Sequence, residues 1–386
     1  MRVAFIVQRC GQEVNGGAEA HCLQIAQRMS KHWETEVLTT CALDYMTWAD
    51  HYPPGPEETG GTIIRRFPVD HRRDIESFNR LSGELHGRQQ NVTMAEQEQW
   101  MRAQGPVSSA FLEYLAANRD KYDAFIFFGY LYATTYFGLP IVQEKAFLAP
   151  LAHNEWAIYF SMWDQFFRLP RRLIFNTSFE RDFLHRRLPD LRLDGPVVGV
   201  GIEPPPAFNP ERFRQRYRLT EPFLLYVGRI DESKGCRRLI ETFIEGRNAG
   251  TITQKLVLAG NEVMPIPFHD DVIHLGFIDD KQKWDALAAC DWLIMPSPHE
   301  SLSMALLEAW AAGRPAMVTA EAEVLVGQCR RANAGLWYRD LSEFQTILRS
   351  IDDHVKETLG ANGRRFVEEN YSWERVEADY IQLLQT

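Results

Sequence analysis

The sequence predicts an α/β fold of two domains, each a parallel sheet covered by helices. The chain has 386 residues, more than a single hydrophobic core usually serves. Short apolar runs rich in β-branched residues alternate with helical patterns along both halves of the chain, as in sheets with helices on both faces. A stretch with four prolines among ten residues, "GIEPPPAFNP" (201–210), separates the halves. Because proline restricts the backbone before it, we place an extended linker there.

The first half begins with a compact apolar strand, "RVAFIV" (2–7). A glycine-rich turn is followed by a pattern of period 3.6, made by Ala20, Leu23, Ile25, Ala26 and Met29, which predicts a helix. The run "ETEVLTT" (34–40) predicts a second strand. The polar stretch 75–120 is predicted to be helical, and 49–61 to be a turn-rich loop. Further strands are predicted at 61–67, 122–129, 145–153, 171–178 and 195–202.

The alternation of strands and helices restarts after the proline-rich stretch. Strands are predicted at 222–230, 254–260, 272–278, 291–297 and 314–320. The end of the chain, "FVEENYSWERVEADYIQLLQ" (366–385), is predicted to be one helix. We therefore expect a first domain at 1–203, a second at 204–370, and a terminal helix at 371–386 that packs back on the first domain.

Composition excludes several classes of protein. Charged residues make up 24 % and hydrophobic residues 45 % of the chain, which is usual for a soluble globular protein. A net charge of −10 argues against non-specific nucleic-acid binding. No apolar segment is long enough for a transmembrane helix, and the first apolar run is too short for a signal peptide. The six cysteines form no CxxC pair, so we expect buried thiols in a reducing, cytoplasmic compartment.

Two cations follow the first strand of the second half, in "YVGRIDESKG" (226–235). The strand is expected to end at Val227, and Gly228 allows another group to approach the backbone closely. Arg229 and Lys234 follow, and two cations near the end of one strand can hold a diphosphate. The alternative is a surface turn with solvated charges.

A second charged feature is "HESLSMALLEAW" (299–310), which follows a buried strand. A helix is expected to begin near Ser303, and helix N-termini suit phosphate groups. Glu308 lies eight positions after Glu300, so the two acids would lie at neighbouring positions around a helix. They can equally be solvated glutamates. Glu308, however, has small or apolar neighbours and therefore needs a partner.

Two further features lie at turns of the first half. Gly16 and Gly17 stand between a predicted strand and helix, where backbone can approach a ligand. This turn is neither a P-loop nor GxGxxG, which argues against a dinucleotide-binding dehydrogenase. His153 ends an apolar strand, where α/β folds place ligand-contacting residues. A glycine pair is common in α/β turns, however, and a lone histidine is often structural.

Together these stretches resemble one family. "NGGAEAHCLQIAQRM", "GRIDESKG", "HLGFIDDKQKWDALAACDWLIMPSPHESLSMALLEAWAAGRPAMVT" and "YSWERV" are similar to the retaining glycosyltransferases of family GT4, with the GT-B fold. The resemblance is strongest from about 223 to 320. It implies two Rossmann-like domains that face each other across a cleft. It also implies a hexosyltransferase that uses a nucleotide-sugar donor and needs no cofactor.

The resemblance also implies a role for each matching residue. Arg229 and Lys234 would neutralise the donor diphosphate, Glu300 would bind hydroxyls of the transferred sugar, and Glu308 would bind the ribose. His153 would approach the donor sugar near the reacting carbon. Backbone contacts to the phosphates, sugar or base are implied for Gly16, Gly17, Gly228, Gly276, Phe277, Ser303 and Met304.

The sequence departs from the family at one point of this site. The usual Gly-Phe-Gly after the first glutamate is here Ser301-Leu302-Ser303. Larger side chains beside the donor sugar leave the sugar, and the choice among UDP, GDP, ADP and dTDP donors, open. No DxD pair stands at a strand end, so we expect chemistry without a metal, in which fixed cations and a helix N-terminus stabilise the leaving diphosphate.

The acceptor is expected to be a glycan or a lipid-linked glycan, in the synthesis of cell-surface polysaccharide or lipopolysaccharide. Aromatic residues in "FFGYLYATTYFG" and "WAIYFSMWDQFF", with arginines between 168 and 187, fit either a core or a surface that meets the inner face of the membrane. Two other functions stay open. One is a GT-B sugar phosphorylase or sugar-nucleotide epimerase, and the other is a non-catalytic nucleotide- or sugar-binding protein.

Overall fold

The computed structural model describes residues 1–11, 13–14, 16–191 and 193–385. The chain divides into two compact units. The first comprises Met1–Gly199 with Glu377–Thr386, and the second comprises Val200–Val376. The division at 199 and 200 falls just before the prolines of the linker. Each unit is built on its own sheet.

The first unit contains a seven-stranded sheet with the order β3-β4-β2-β1-β5-β6-β7. Only β3 pairs antiparallel, with β4; the other pairings are parallel. The strands are β1 (Arg2–Arg9), β2 (Glu34–Thr40), β3 (Gly55–Thr59), β4 (Thr62–Phe67), β5 (Ala124–Phe128), β6 (Ala146–Ala149) and β7 (Arg172–Leu173). Strands β1 and β5 are apolar and buried along nearly their whole length, as expected for parallel strands covered on both faces.

Helices connect the strands of the first unit. They are α1 (Gly17–Met29), α2 (Ile75–Leu85), α3 (Met94–Gln104), α4 (Ser109–Asn118), α5 (Ala133–Gly138), α6 (Met162–Phe166) and α7 (Ser178–Arg187). Short 3₁₀ turns lie at Gln89–Asn91, Arg119–Lys121, Leu139–Lys145 and Trp156–Tyr159. The aromatic residues of 127–138 and 156–167 lie mostly in the core, with Tyr130, Phe160 and Trp163 fully buried.

The second unit contains a six-stranded parallel sheet with the order β10-β9-β8-β11-β12-β13. Its strands are β8 (Phe223–Val227), β9 (Lys255–Ala259), β10 (Val272–His274), β11 (Trp292–Met295), β12 (Ala316–Thr319) and β13 (Gly335–Tyr338). Its helices are α8 (Pro210–Tyr217), α9 (Cys236–Asn248), α10 (Asp280–Ala289), α11 (Met304–Ala311), α12 (Glu323–Ala332), α13 (Leu341–Ser350) and α14 (Asp353–Asn370). A 3₁₀ turn at Glu232–Lys234 precedes α9.

The last helix, α15 (Trp373–Gln385), begins in the second unit and continues into the first from Glu377. Within the first unit, the Glu377 carboxylate lies 3.1 Å from His32 Nε2, just beyond the end of α1. Tyr380 is fully buried. The final turns of the chain are therefore packed on the first unit by a hydrogen bond and a buried aromatic ring.

Three sequence predictions of secondary structure were wrong. Residues 195–202 form no strand; only an isolated bridge joins Val197 to Phe175, because Gly195, Pro196 and the left-handed Gly199 interrupt the run. The loop at 49–61 contains β3. The terminal helix is two helices, since Tyr371 has non-helical dihedral angles and its carbonyl accepts from the Ile202 N–H at 2.8 Å.

The burial pattern confirms the prediction for the cysteines. All six have free thiols and are buried. Among the described residues, no helix is long and apolar enough to cross a lipid bilayer.

Candidate functional site

Glycines bring the strand ends of the second sheet into close contact. The Gly228 N–H donates to the Ala259 carbonyl at 2.9 Å, and the Gly260 N–H donates to the Gly276 carbonyl at 2.8 Å. A Cβ atom at Gly260 would lie 1.8 Å from the Gly228 carbonyl oxygen, and φ at Gly260 is +149°. Only glycine fits such a contact. The loops after β8, β9 and β10 therefore form one layer at the carboxyl edge of the sheet.

The two predicted cations lie in the first of these loops, and each has an acidic partner. Arg229 Nε lies 3.0 Å from Asp231 Oδ2, and Lys234 Nζ lies 2.8 Å from Glu300 Oε1. Glu300 belongs to the loop after β11, which is the neighbour of β8 in the sheet. The fold thus joins two predicted site residues that are 66 positions apart in the sequence. The Lys234 and Glu300 side chains keep 34 % and 14 % of their surface exposed, so a ligand can reach the pair.

Gly235 explains why the turn with Lys234 can lie on the loop after β11. Its φ is +72°, and a Cβ atom there would lie 2.4 Å from the Pro296 carbonyl oxygen. The backbone of the turn therefore lies in direct contact with the backbone at the end of β11. This contact positions Lys234 beside Glu300.

Tyr226 is a site residue that the sequence analysis missed. Its hydroxyl donates to the Arg229 carbonyl at 2.7 Å, and this bond holds the turn that carries Arg229. Burial raises the pKa of Tyr226 well above its usual value, and the neighbouring Cys236 and Glu300 add to the effect. The tyrosine therefore stays a neutral hydrogen-bond donor. A tyrosine inside a strand resembles any core aromatic residue, so no local pattern distinguishes Tyr226 in the sequence.

The predicted helix start is confirmed at α11. Ser303 is the N-cap residue, and its hydroxyl accepts from the Leu306 N–H at 3.2 Å. Met304 is the first residue of the helix. The backbone N–H groups of the first turn and the positive end of the helix dipole lie just after the Glu300 loop. An anion can be accommodated at this end of the helix.

Glu308 has the partner that its apolar surroundings require. Lys283 Nζ, from α10, lies 2.7 Å from Glu308 Oε1 and 2.8 Å from Asp280 Oδ1. Burial raises the pKa of Glu308, although Lys283 opposes that rise. Burial also lowers the pKa of Lys283, but Glu308 and Asp280 outweigh it and the pKa is raised. Lys283 thus stays charged. Its contact with Glu308 joins residues 25 positions apart and depends on the packing of α10 against α11, which no local sequence pattern reveals.

Gly276 and Phe277 follow β10 at the same edge of the sheet. Gly276 adopts φ +68°, and a Cβ atom there would meet no atom within 4 Å. The Phe277 side chain is 63 % exposed, which is unusual for a large apolar residue. Open backbone beside an exposed aromatic ring can contact a planar ligand.

In the first unit, the glycine pair lies where β1 gives way to α1. Gly16 is the N-cap residue and Gly17 the first residue of the helix. A Cβ atom at Gly16 would lie 2.1 Å from Glu19 Oε2, whereas one at Gly17 would meet no atom within 4 Å. Glu19 is buried and paired with Arg9 at 2.5 Å. Packing therefore explains Gly16, and Gly17 leaves open space before the helix.

His153 follows β6 in a loop held by two acids. Its Nδ1 atom lies 3.7 Å from Glu155 Oε1, and Glu155 accepts a hydrogen bond of 2.7 Å from the Tyr130 hydroxyl. Two residues earlier, Leu151 has a left-handed φ of +56°. Such a conformation is uncommon outside glycine and often marks a functional loop.

Glu180 fixes the loop before His153 through hydrogen bonds. The sequence analysis did not identify this residue. The carboxylate is fully buried, and it accepts the Ala152 N–H and the Asn176 N–H, both at 2.7 Å. Burial raises the pKa of Glu180 to about 8, while backbone N–H groups work in the opposite direction. In the sequence, Glu180 is only the third residue of α7, where a glutamate is common. Its position therefore does not mark it as unusual.

The structure brings two of the predicted site residues into direct contact and gives the others different partners. Lys234 and Glu300 are in direct contact, while Arg229 pairs with Asp231 and Glu308 with Lys283. Gly17 and His153 stand after two strands of the other sheet, with β5 between those strands. In the described part of the chain, no cluster of three or more His, Cys, Asp or Glu residues could hold a metal ion.

One family model matches most of the second unit. Residues 208–373 match the family model described as glycosyl transferases group 1. An uncharacterised glycosyltransferase of Methanocaldococcus jannaschii is 26 % identical over 42 % of this chain and 44 % of its own length. The lipopolysaccharide core biosynthesis glycosyltransferase LpsE of Rhizobium meliloti is 27 % identical over 42 % of this chain and 49 % of its own. The match thus spans less than half of each of these relatives.

Solved structures match the whole chain. Sucrose-phosphate synthase from Thermosynechococcus elongatus has a TM-score of 0.75 at 18 % identity, and the match covers 100 % of this chain and 98 % of that one. Anabaena HepE in complex with UDP-glucose has a TM-score of 0.69 at 14 % identity, over 100 % of this chain and 99 % of that one. At such low identity these matches show the fold alone. The chain has the GT-B fold, and its residues 208–373 match the glycosyl transferases group 1 family model.

Proposed function

We propose that this protein is a retaining glycosyltransferase of the GT4 type. It transfers a hexose from a nucleotide-sugar donor to a glycan or lipid-linked acceptor in cell-surface polysaccharide synthesis. The observation that carries the proposal is the Lys234–Glu300 pair at 2.8 Å, between the Arg229 turn and the start of α11. Cations, a sugar-binding carboxylate and a helix N-terminus at one sheet edge suit a sugar diphosphate. The group 1 family match and LpsE as a relative support the same assignment.

Arg229 and Lys234 would hold the donor diphosphate. Both cations are now paired with carboxylates, so their charges are already oriented and partly shielded from water. A diphosphate that enters this edge of the sheet would share them, with N–H groups near Ser303 and Met304 as further donors. Fixed positive charge of this kind stabilises the negative charge that builds on the leaving diphosphate.

The remaining residues of the second unit would bind the rest of the donor. Glu300 would accept hydrogen bonds from sugar hydroxyls while Lys234 fixes its orientation. Glu308 would accept hydrogen bonds from the ribose hydroxyls, with Lys283 holding its carboxylate in place. The open backbone at Gly276 and the exposed ring of Phe277 would hold the base, and Gly228 would let the chain approach the donor.

Two features of the first unit complete the assignment. The open space before Gly17 suits the donor phosphates, with Gly16 beside it, and His153 would contact the donor sugar near the reacting carbon. The hydrogen bonds that Glu180 accepts fix the loop before His153, which supports a role that needs a precise position.

In the proposed reaction the bond between the anomeric carbon and the diphosphate oxygen breaks. The acceptor hydroxyl oxygen forms a new bond to the same face of that carbon, so the configuration is retained. The acceptor proton passes to an oxygen of the departing diphosphate. Neither step needs a covalent enzyme intermediate, and Glu300 keeps its task of binding hydroxyls.

The donor and the place of action are parts of this proposal. HepE, which shares the fold, has been solved with UDP-glucose, so UDP-glucose is the first donor to test, before GDP-, ADP- and dTDP-sugars. A lipid-linked acceptor would place the protein at the cytoplasmic face of the membrane.

Replacement of Lys234 tests the central role. The donor that most raises the melting temperature is chosen, and release of free nucleotide is then measured. Lys234→Ala should lower kcat about 100-fold, whereas Arg237→Ala, which removes an exposed charge three residues further on, should leave kcat unchanged. Equal turnover of Lys234→Ala and the parent protein would disprove the diphosphate role.

The same assay separates the other functions. A sugar phosphorylase would release sugar phosphate and no nucleotide, and an epimerase would leave the nucleotide sugar intact with an altered sugar. A non-catalytic binding protein would be stabilised by a donor without any turnover. Each of these three results would replace the transferase proposal.

A chelator tests the expectation that no metal takes part. Because Arg229, Lys234 and the α11 N-terminus supply positive charge to the leaving group, nucleotide release should be unchanged in EDTA. The control is a second transferase with a known Mg²⁺ requirement, assayed in the same buffer. Loss of activity in EDTA and its return with Mg²⁺ would contradict the expectation.

A further inference from the structure

The first unit contains a cavity of about 390 Å³ that the proposed donor residues do not use. Its walls come from the loop after β2, the loop and helix after β4, and the end of α3 with the following residues 105–107. Four arginines line it: Arg72, Arg73, Arg80 and Arg102. His71 adds a fifth basic group, and Asp74 and Glu84 are the acids of the lining.

Arg73 is the most deeply buried of these cations, with 7 % of its surface exposed. Its guanidinium donates to neutral acceptors, which are the Met46 carbonyl at 3.0 Å, the Gln104 side-chain oxygen at 3.0 Å, and the carbonyls of Gln104 and Tyr45. It also lies 5.0 Å from the centre of the Trp48 ring. Within the described residues no carboxylate forms an ion pair with Arg73, although Asp44 acts on it at longer range. A buried charge of this kind favours an anion nearby.

The outer arginines are only partly neutralised. Arg80 donates to the Ser77 hydroxyl at 3.1 Å, and Arg102 pairs with Glu98 at 2.7 Å along α3. Arg72 forms no ion pair with any residue that the structure describes. Arginine is the side chain best suited to bind phosphate with two parallel hydrogen bonds.

The acids of the lining do not offset these cations fully. Asp74 is engaged as the N-cap of α2, where it accepts from the N–H groups of Glu76 and Ser77, both at 3.1 Å. Glu84 is one carboxylate among four arginines. The chain as a whole has a net charge of −10, so a cavity with an excess of arginines stands out from its surroundings.

The cavity lies on the carboxyl edge of the sheet. The Trp48 loop follows β2 and the Arg72–Arg73 segment follows β4, and both strands run parallel to β1, which the Gly16–Gly17 turn follows. The Gly105 carbonyl accepts from the Ala133 N–H at 3.0 Å, so the α3 end also adjoins the chain after β5. Ligands bind at this edge in sheets of this kind.

We propose that this cavity binds a phosphate-bearing sugar, and that this group is the anionic end of the acceptor. The first part stands on the cavity alone, and the second rests on the proposed transferase function. Arg72 and Arg80 would hold the phosphate, the buried Arg73 would add its charge, and the sugar would lie against Phe78 and Leu81. This assigns a substrate class to part of the polar stretch 75–120, which the sequence analysis predicted only to be helical.

Calorimetric titration of the full chain with glucose 6-phosphate, and with glucose, tests the binding site. Glucose 6-phosphate should bind and glucose should not. The double variant Arg72→Ala with Arg80→Ala should weaken binding at least about tenfold. The matched control is Arg119→Ala with Arg168→Ala, two exposed arginines of the same unit, and it should bind as the parent does. No binding of glucose 6-phosphate, or equal binding by both double variants, would overturn the site.

Two further measurements separate the sources of the phosphate and the two proposals. The first measurement uses vesicles that contain phosphatidylglycerol. If they bind the protein through Arg72 and Arg80 while glucose 6-phosphate does not bind, the ligand of the cavity is a lipid surface and not a sugar.

Nucleotide release with phosphorylated and dephosphorylated glycans tests the acceptor role, since only the phosphorylated form should raise the rate. Equal rates would end the acceptor assignment and leave the transferase intact. Binding of glucose 6-phosphate without any nucleotide release would contradict the transferase function and leave the binding site intact.

Discussion

At the scale of single residues, the two glutamates of the candidate site have opposite environments. Glu308 lies in the apolar interior of α11 against a lysine 2.7 Å away, whereas Glu300 lies at the partly exposed end of a loop. A buried acid beside a cation keeps its charge at a fixed place. This arrangement suits a carboxylate that must bind hydroxyl groups without moving.

Loss of Lys283 should cost more stability than loss of Glu308. Lys283→Ala leaves a buried carboxylate unpaired and should lower the free energy of unfolding by about 3 kcal/mol. The effect should shrink in a Glu308→Gln background, because no charge is then left unpaired. Urea denaturation measures both, with Lys281→Ala, an exposed lysine of the same helix, as the control. Equal losses in the two backgrounds would show that the pair is not coupled.

Glu308→Ala should weaken nucleotide binding at least about tenfold by calorimetry.

Glu180 should make stability depend on pH. Its pKa is raised to about 8 in the folded chain, above the value of an unfolded glutamate. The stabilisation is therefore complete below the unfolded pKa and is lost as the pH rises through 8. The slope contributed by this group can reach about 1.4 kcal/mol per pH unit.

Glu180→Gln should remove that slope between pH 5 and pH 8, because glutamine does not titrate. Urea denaturation at several pH values gives the slope, and Glu113→Gln, which changes an exposed glutamate of the same unit, is the control. If the parent and Glu180→Gln lose stability in parallel over this range, Glu180 is charged in the folded protein throughout, held by its backbone N–H donors.

At the scale of elements, strand ends and helix starts position the candidate site. The strands that end in Val227, Ala259 and His274 deliver three loops to one edge, and α11 begins at the same edge after β11. Glycine at 228, 260 and 235 allows these loops to touch through backbone. The site is thus made mainly of main chain, with a few charged side chains fixed to it.

Gly260→Ala should disrupt this edge. The new Cβ would lie 1.8 Å from the Gly228 carbonyl oxygen at a φ of +149°, so the loop must move or strain, at a cost of about 3 kcal/mol. Gly250→Ala is the matched control, since Gly250 also has a positive φ of +68° but no atom within 4 Å of its Cβ. It should cost about 1 kcal/mol. Thermal unfolding and donor binding check both, and equal effects would refute the contact as the cause.

The elements that sequence patterns predicted best are those with a continuous apolar run. Strands β1 and β8, and the start of α11 at Ser303, lie where the sequence placed them. Two of the three failures share a cause, which is that pairing with another segment outweighs a local preference. Tyr371 breaks the terminal helix because its carbonyl pairs with the Ile202 N–H, and residues 55–59 become a strand because β4 offers them a partner.

At the scale of the whole molecule, the two units carry different candidate features. The second unit carries the family match and the charged pairs assigned to the donor. The first unit carries His153, the open space before Gly17 and a cavity lined by arginines. An acidic chain in which four arginines line one cavity favours an anionic ligand at that cavity.

The sequence by itself determined the α/β class, the linker near residue 200, the helix start at Ser303 and the need of Glu308 for a partner. These follow from local causes, since apolar periodicity, prolines, capping residues and an acid among apolar neighbours act within a few positions. The tertiary structure alone decided that the partner is Lys283, that Lys234 meets Glu300, and that Glu180 holds the His153 loop. It also gathered Arg72, Arg73, Arg80 and Arg102 around one cavity. Such contacts join distant positions, and only the packing of strands and helices sets which distant residues meet.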